Sequence, residues 1–173
     1  MGRLKQMPAM QNPDLRNKIL FFLSDKALSI CSDFKPGKGG VNEDEIVAPL
    51  ATAFVWLLGS QKGMSDVFMA GLCSYCPFVY QLSLAVSEDD GVNKLELGYS
   101  KVELAPGNAR LTPDEQAMAT KKWRKRMTSL LAFYASLIVH GHESEQAGGP
   151  PLRHFTLQDA WLWLSRTVNF CAR

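Results

Sequence analysis

Thr112-Pro113-Asp114-Glu115 opens the longest helical pattern in the chain, and it points to a fold built on helices. Thr caps the first turn, Pro takes a position where its missing N–H costs nothing, and Glu115 completes a capping box. Behind this start, Trp123, Met127, Leu130, Tyr134, Leu137 and Ile138 recur at three- and four-residue spacing. They form the apolar stripe of an amphipathic helix that runs to about Val139.

Other stretches carry the same kind of signal. Asn12-Pro13-Asp14 gives a cap, a first-turn Pro and an acid at the positive end of the helix dipole. The helix it opens ends before Lys35-Pro36-Gly37. Asn42 with Glu45 starts another, which stops near Gly59 and carries Pro49 inside it, predicting a kink or a restart. A third spans Ser65 to Cys76, because Pro77 biases its predecessor away from helical angles. Thr156 caps a last helix bearing Trp161, Trp163 and Leu164. Residues 78–86 suit a helix or an extended piece. Residues 87–111 form a long loop with a short element around Lys94–Val102, and His140–Pro151 form another loop. The sum is an all-α domain of five or six helices over residues 12–173, behind a flexible arm of residues 1–11.

Composition narrows the function classes. The chain has 173 residues with 46% apolar and 21% charged content, enough for one domain with a sizeable core. A net charge of +2 is too small for general binding to nucleic acid or membrane surfaces, so any basic site is local. No apolar run approaches the length of a membrane span, and the N-terminus has no signal-peptide core. Four cysteines without a secretion signal point to reduced thiols in a reducing compartment.

Candidate chemistry is sparse. Cys73-Ser-Tyr-Cys76 has redox or zinc spacing, but the pair closes a helix, whereas a redox pair sits at a helix N-terminus. A zinc site would need two of His140, His142 and His154 as further ligands. Two small buried thiols explain the pair as well. Lys35–Gly40 lacks the spacing of a phosphate loop, Glu88-Asp89-Asp90 lacks a calcium-loop pattern, and no nucleophile–base–acid set stands out. The expectation is a binding protein without an active site.

The cations are more telling. On the first helix, Leu15, Ile19, Phe22, Leu23 and Ile30 share one arc, and Lys26 falls inside it. A lysine facing the core needs water, an acid or an anionic ligand. On the helix after Thr112, the run Lys121–Met127 places Arg126 at the margin of the apolar face with Lys122 one turn before it, and Lys121 and Lys125 on the far side. One use is a pocket where Lys26, Lys122 and Arg126 converge on a polyphosphate, with Arg offering a fork and Lys a point charge. The other is a solvated basic face on a helical scaffold. The aromatics near the run lie on the core side, which disfavours stacking on nucleic-acid bases.

Met64–Tyr80, Leu97–Glu103, Lys125–Ile138 and Ala160–Asn169, with Asp25–Ile30 and Ala48–Ala53, together resemble the C-terminal domain of the nuclear-pore RNA export mediators, the Gle-one family. The likeness covers roughly residues 15–170. It implies a HEAT-like helical array similar to the middle domain of translation-initiation scaffolds, with no active site. It also implies an mRNA export factor of the nuclear pore complex, at its cytoplasmic face, moving between nucleus and cytoplasm. Its implied partners are a DEAD-box RNA helicase whose ATP cycle it stimulates, other nucleoporins and translation initiation factors, but neither a membrane nor a specific nucleic-acid sequence. Inositol hexakisphosphate is the implied bridging ligand, with Lys26 and Arg126 at pocket positions and Lys122 and Lys125 beside them. Two departures stand out. Ser74-Tyr75 replace a basic pair before the Cys-Pro, and each charged hydrogen bond so lost is worth ~1.5–3 kcal/mol. The family domain also continues past the Trp-rich helix, so the expectation is a truncated array with an apolar face on its last helix.

Overall fold

The structure, a computed structural model, describes residues 12–33, 43–60, 63–79 and 112–171. Among the described residues there are five α-helices: α1 Pro13–Asp33, α2 Glu43–Ser60, α3 Met64–Tyr75, α4 Pro113–Gln146 and α5 Leu157–Cys171. A 3-10 turn, Pro77–Val79, follows α3, and no strand occurs among the described residues. The all-α class therefore holds. The arm of residues 1–11, the Asn42 cap, the Lys35–Gly40 loop and residues 87–111 lie outside the described residues.

Aromatic packing fixes the arrangement. Phe68 of α3 is fully buried, with the rings of Phe54 (α2), Phe133 (α4) and Phe155 around it at centroid distances of 5.0, 6.0 and 6.0 Å. The Phe133 ring meets Phe68 edge to face, an arrangement that adds to the benefit of burial. Helix α4 is the spine: it lies against α1, α2 and α5, while α3 sits between α1 and α2. Its buried residues Met127, Leu130, Tyr134, Leu137 and Ile138 are those of the expected stripe, joined by Phe133, with Trp123 packed at the edge of the core.

Three expectations need correction. First, α4 runs seven residues beyond Val139, so His140 and His142 are helical rather than in a loop. Side chains on this extra length interlock along the helix: His140 Nδ1 meets Glu143 at 2.8 Å, and His142 Nε2 meets Gln146 at 3.0 Å. Gly141 has a packing role there, because a Cβ would stand 3.1 Å from Leu152 and 3.2 Å from the Phe155 carbonyl. The loop returning over α4 thus seats Leu152 and Phe155 in the core. The helix ends where Gly148 adopts φ +84° and its N–H, with that of Ala147, takes up the last carbonyls.

Second, of the kink or restart expected at Pro49, the restart is absent: α2 continues through it. Proline forfeits the hydrogen bond to the carbonyl four residues earlier, which lies in the first turn of this helix. Val47, Ala51, Phe54, Val55 and Leu58 bury one face across the Pro and hold the helix together.

Third, the apolar arc of α1 is not its buried face. Leu20, Ser24, Ala27, Leu28 and Cys31 are buried, whereas Leu15, Phe22, Leu23 and Ile30 are exposed, and so is Lys26. The small residues Ser24, Ala27 and Cys31 let α1 approach α3 and α4 closely, and the hydroxyl of Ser24 is satisfied by the Leu20 carbonyl at 2.9 Å. Close approach on the small-residue side has won over the greasier arc.

Helix starts match the sequence signals well. Thr112 Oγ1 accepts from the Glu115 N–H, and Glu115 accepts from the Thr112 N–H at 2.8 Å, a complete capping box. Thr156 and Asp159 repeat the device ahead of α5.

Candidate functional site

The C-terminal end of α3 is where the candidate residues gather. Gly71 passes close to Leu28 of α1, bringing α1 and α3 side by side. One turn on, the Tyr75 hydroxyl donates to Asp25 Oδ1 at 2.7 Å. Pro77 forbids further helix, so Cys76 leaves helical angles (φ −136°, ψ 89°) while its N–H still bonds the Leu72 carbonyl at 2.7 Å. The 3-10 turn is gripped from two sides. The Phe78 ring stands 5.7 Å from Trp123 of α4, and the Phe78 carbonyl accepts from Trp163 Nε1 of α5 at 3.0 Å.

Arg126 belongs to this place. It lies one turn beyond Trp123, and its positive charge acts on the Cys76 thiol. Burial nevertheless dominates there and pushes that thiol up to about 11, against the downward pull of the Phe78 and Val79 N–H groups and of Arg126. Burial, followed by the neighbouring Cys76, pushes Cys73 up to about 12. Both thiols are therefore protonated near neutral pH, which disfavours redox chemistry through a thiolate. The three histidines are occupied locally, His154 by Asp66 at 2.7 Å and the other two along α4. Among the described residues no three His, Cys, Asp or Glu side chains gather as for a metal ion.

The expected pocket residues divide into two sets. Arg126 and Lys125 are half-buried on α4, and Lys122 is exposed one turn before Arg126. Lys26 stands apart from them in orientation. Its ammonium lies 5.4 Å over the ring of the exposed Phe22, on the open face of α1. The inward turn expected for Lys26 is thus not found, because α1 is rotated to bury its small residues instead. Its neighbour Asp25, not Lys26, reaches the end of α3.

Two features had no clear signal in the sequence. The Tyr75–Asp25 bond joins residues 50 positions apart, and no spacing rule predicts it. The same holds for Asp66 at the start of α3, which receives Arg153 Nη1 at 3.2 Å and His154 Nε2 at 2.7 Å.

Comparison with known proteins decides the lineage. Residues 5–172 match the family described as GLE1-like protein. The chain belongs to the GLE1-like family. Membership makes it a Gle1-type mRNA export factor, with a place at the nuclear pore between nucleus and cytoplasm. No curated protein and no solved structure matches the chain. At the two positions before Cys76, Tyr75 is spent on Asp25, and Ser74 is exposed. No helix among the described residues is long and apolar enough to cross a membrane.

Proposed function

We propose that this GLE1-like chain binds a DEAD-box RNA helicase at the cytoplasmic face of the pore and stimulates its ATPase cycle. The carrying observation is the family match across residues 5–172. In this reading the chain acts as a regulator of that ATPase and supplies no catalytic group of its own. Inositol hexakisphosphate is the proposed tether, held by Arg126 with Lys122 and Lys125 beside the end of α3. The half-buried setting of Arg126 and Lys125 supports it, because a less hydrated cation binds phosphate oxygens more strongly. Lys26, resting on Phe22 on the open face of α1, is left out of this tether.

A second reading has its own support. Lys121, Lys122 and Arg124 are exposed, as on a solvated helix face, and a scaffold without an anion site would look the same at those positions.

The test is the helicase ATPase rate with this chain, with and without inositol hexakisphosphate. Stimulation that rises with the ligand, and loses that rise in an Arg126→Gln, Lys122→Gln, Lys125→Gln variant, supports both halves. Stimulation indifferent to the ligand removes the tether and keeps the helicase. An unchanged ATPase rate in both conditions overturns the proposal.

A further inference from the structure

Helix α1 has two apolar faces, and only one is buried among the described residues. Leu15, Ile19, Phe22, Lys26 and Ile30 follow one another at spacings of four, three, four and four residues. At 100° per residue they fall within an arc of about 80°, opposite the buried Leu20, Ser24, Ala27 and Cys31. Phe22 is 57% exposed and Ile30 50%. The stripe extends for about 22 Å at 1.5 Å per residue, the length of a short helix–helix contact. Exposed apolar patches of this size on a globular domain mark interaction surfaces.

The occupant is specified by Lys26. It stands in the middle of the stripe, and no carboxylate among the described residues pairs with it; its ammonium rests on the Phe22 ring. Covering the stripe takes this cation out of water, which is costly unless the covering surface brings an acid. A second copy packed stripe on stripe cannot supply one. The stripe itself contains no Asp or Glu, and self-pairing sets Lys26 against Lys26 or against an apolar residue, in parallel or antiparallel register. Asp25 lies off the stripe and is held by Tyr75.

We infer that the outer face of α1 docks an amphipathic helix of a different protein, one with apolar residues at three- and four-residue spacing and a single Asp or Glu opposite Lys26. Phe22 and Ile30 anchor it. Lys26 fixes its register, as one polar position does in a helical zipper. This surface lies on α1 and is separate from the α4 cations proposed to hold the anion, so either can fail alone.

A displayed library of amphipathic helical peptides, selected against the intact chain, tests the inference. Peptides recovered on the native chain should carry an acid at one position within an apolar stripe. Those recovered on Lys26→Glu should carry Lys or Arg there, and each set should bind the other target at least tenfold more weakly. Phe22→Ser, at an exposed position that leaves thermal melting unchanged, should abolish binding of both sets. It should leave helicase stimulation as it was. Recovery of no binder, binders indifferent to the charge at residue 26, or a mass that doubles with concentration and reverts in Phe22→Ser would each overturn it.

Discussion

The Tyr75 hydroxyl donates to the Asp25 carboxylate at 2.7 Å, joining the last residue of α3 to the middle of α1. The bond is partly buried and its acceptor is a carboxylate, so it is stronger than a neutral surface pair. Tyr75→Phe should lower stability by about 1–2 kcal/mol, read as a shift of the urea midpoint at constant slope. Asp25→Asn in the Tyr75→Phe background should add far less than it does alone, since the two side chains act as a unit. Additive effects would show that the contact contributes nothing.

Asp66 sets an acid limit on stability. The hydrogen bond from His154 holds its carboxyl below the usual range, helped by Arg153 and opposed by slight desolvation. A depressed folded-state value means the contribution is fully present above the unfolded carboxylate value of roughly 4 and disappears as pH falls through the folded one. The contact also steadies His154, a non-glycine residue at φ +70°, just before the buried Phe155. Asp66→Asn should therefore melt below the native chain at neutral pH, with the gap closing on the acid side. A gap that stays constant between about pH 6 and pH 3 would contradict this account.

Cys73 and Cys76 should behave as inert thiols. With values pushed up to about 12 and about 11, chiefly by burial, each is protonated at neutral pH. Relative to an ordinary thiol near 8.5, the thiolate fraction falls by at least two orders of magnitude, roughly. Alkylation of the folded chain near neutral pH should be slower than that of the urea-unfolded chain by about that factor. In the linkage sense, burying the neutral thiols favours the fold below the unfolded value and is lost as pH rises through the folded one, so stability declines on the alkaline side. Rapid labelling of the folded chain would restore the metal or redox alternative.

Local signals were legible in the sequence where the physics is local. The Thr112–Glu115 capping box, the Thr156 cap and the Met127–Ile138 stripe depend on residues three or four apart, and all appear as expected. Rotation of a helix about its axis is not local. Both faces of α1 are apolar, and a hydrophobic arc alone cannot tell a face that packs through small residues from one left open. That ambiguity is why Lys26 was expected inside. The end of α4 was hidden for a related reason: Gly141 weakens the helical signal, and its purpose is visible only once Leu152 and Phe155 fold back over it. Arg126 could be placed from sequence because its position relative to the α4 stripe is fixed by helical angle. Its Cys76 neighbour required the tertiary structure.

Phe155 and Trp161 make a controlled contrast between two large aromatic residues six positions apart. Phe155, in no helix, is 1% exposed and packs on Phe68 and Tyr134, with ring centroids 6.0 Å away in each case. Trp161, on α5, is 68% exposed. Removing a buried ring leaves a cavity as well as losing transfer energy, so Phe155→Ala should cost about 3–5 kcal/mol. Trp161→Ala, taking little from the core, should stay within about 0.5 kcal/mol. Trp163, two residues further along, belongs to the first kind, since its indole N–H holds the Phe78 carbonyl and its ring meets the core. Trp163→Phe should therefore cost about 1 kcal/mol through the lost hydrogen bond, while keeping most of the packing. Urea unfolding of the three variants checks the order Phe155→Ala, Trp163→Phe, Trp161→Ala. If Trp161→Ala proved as damaging as Phe155→Ala, the outer face of α5 would have to be buried in solution.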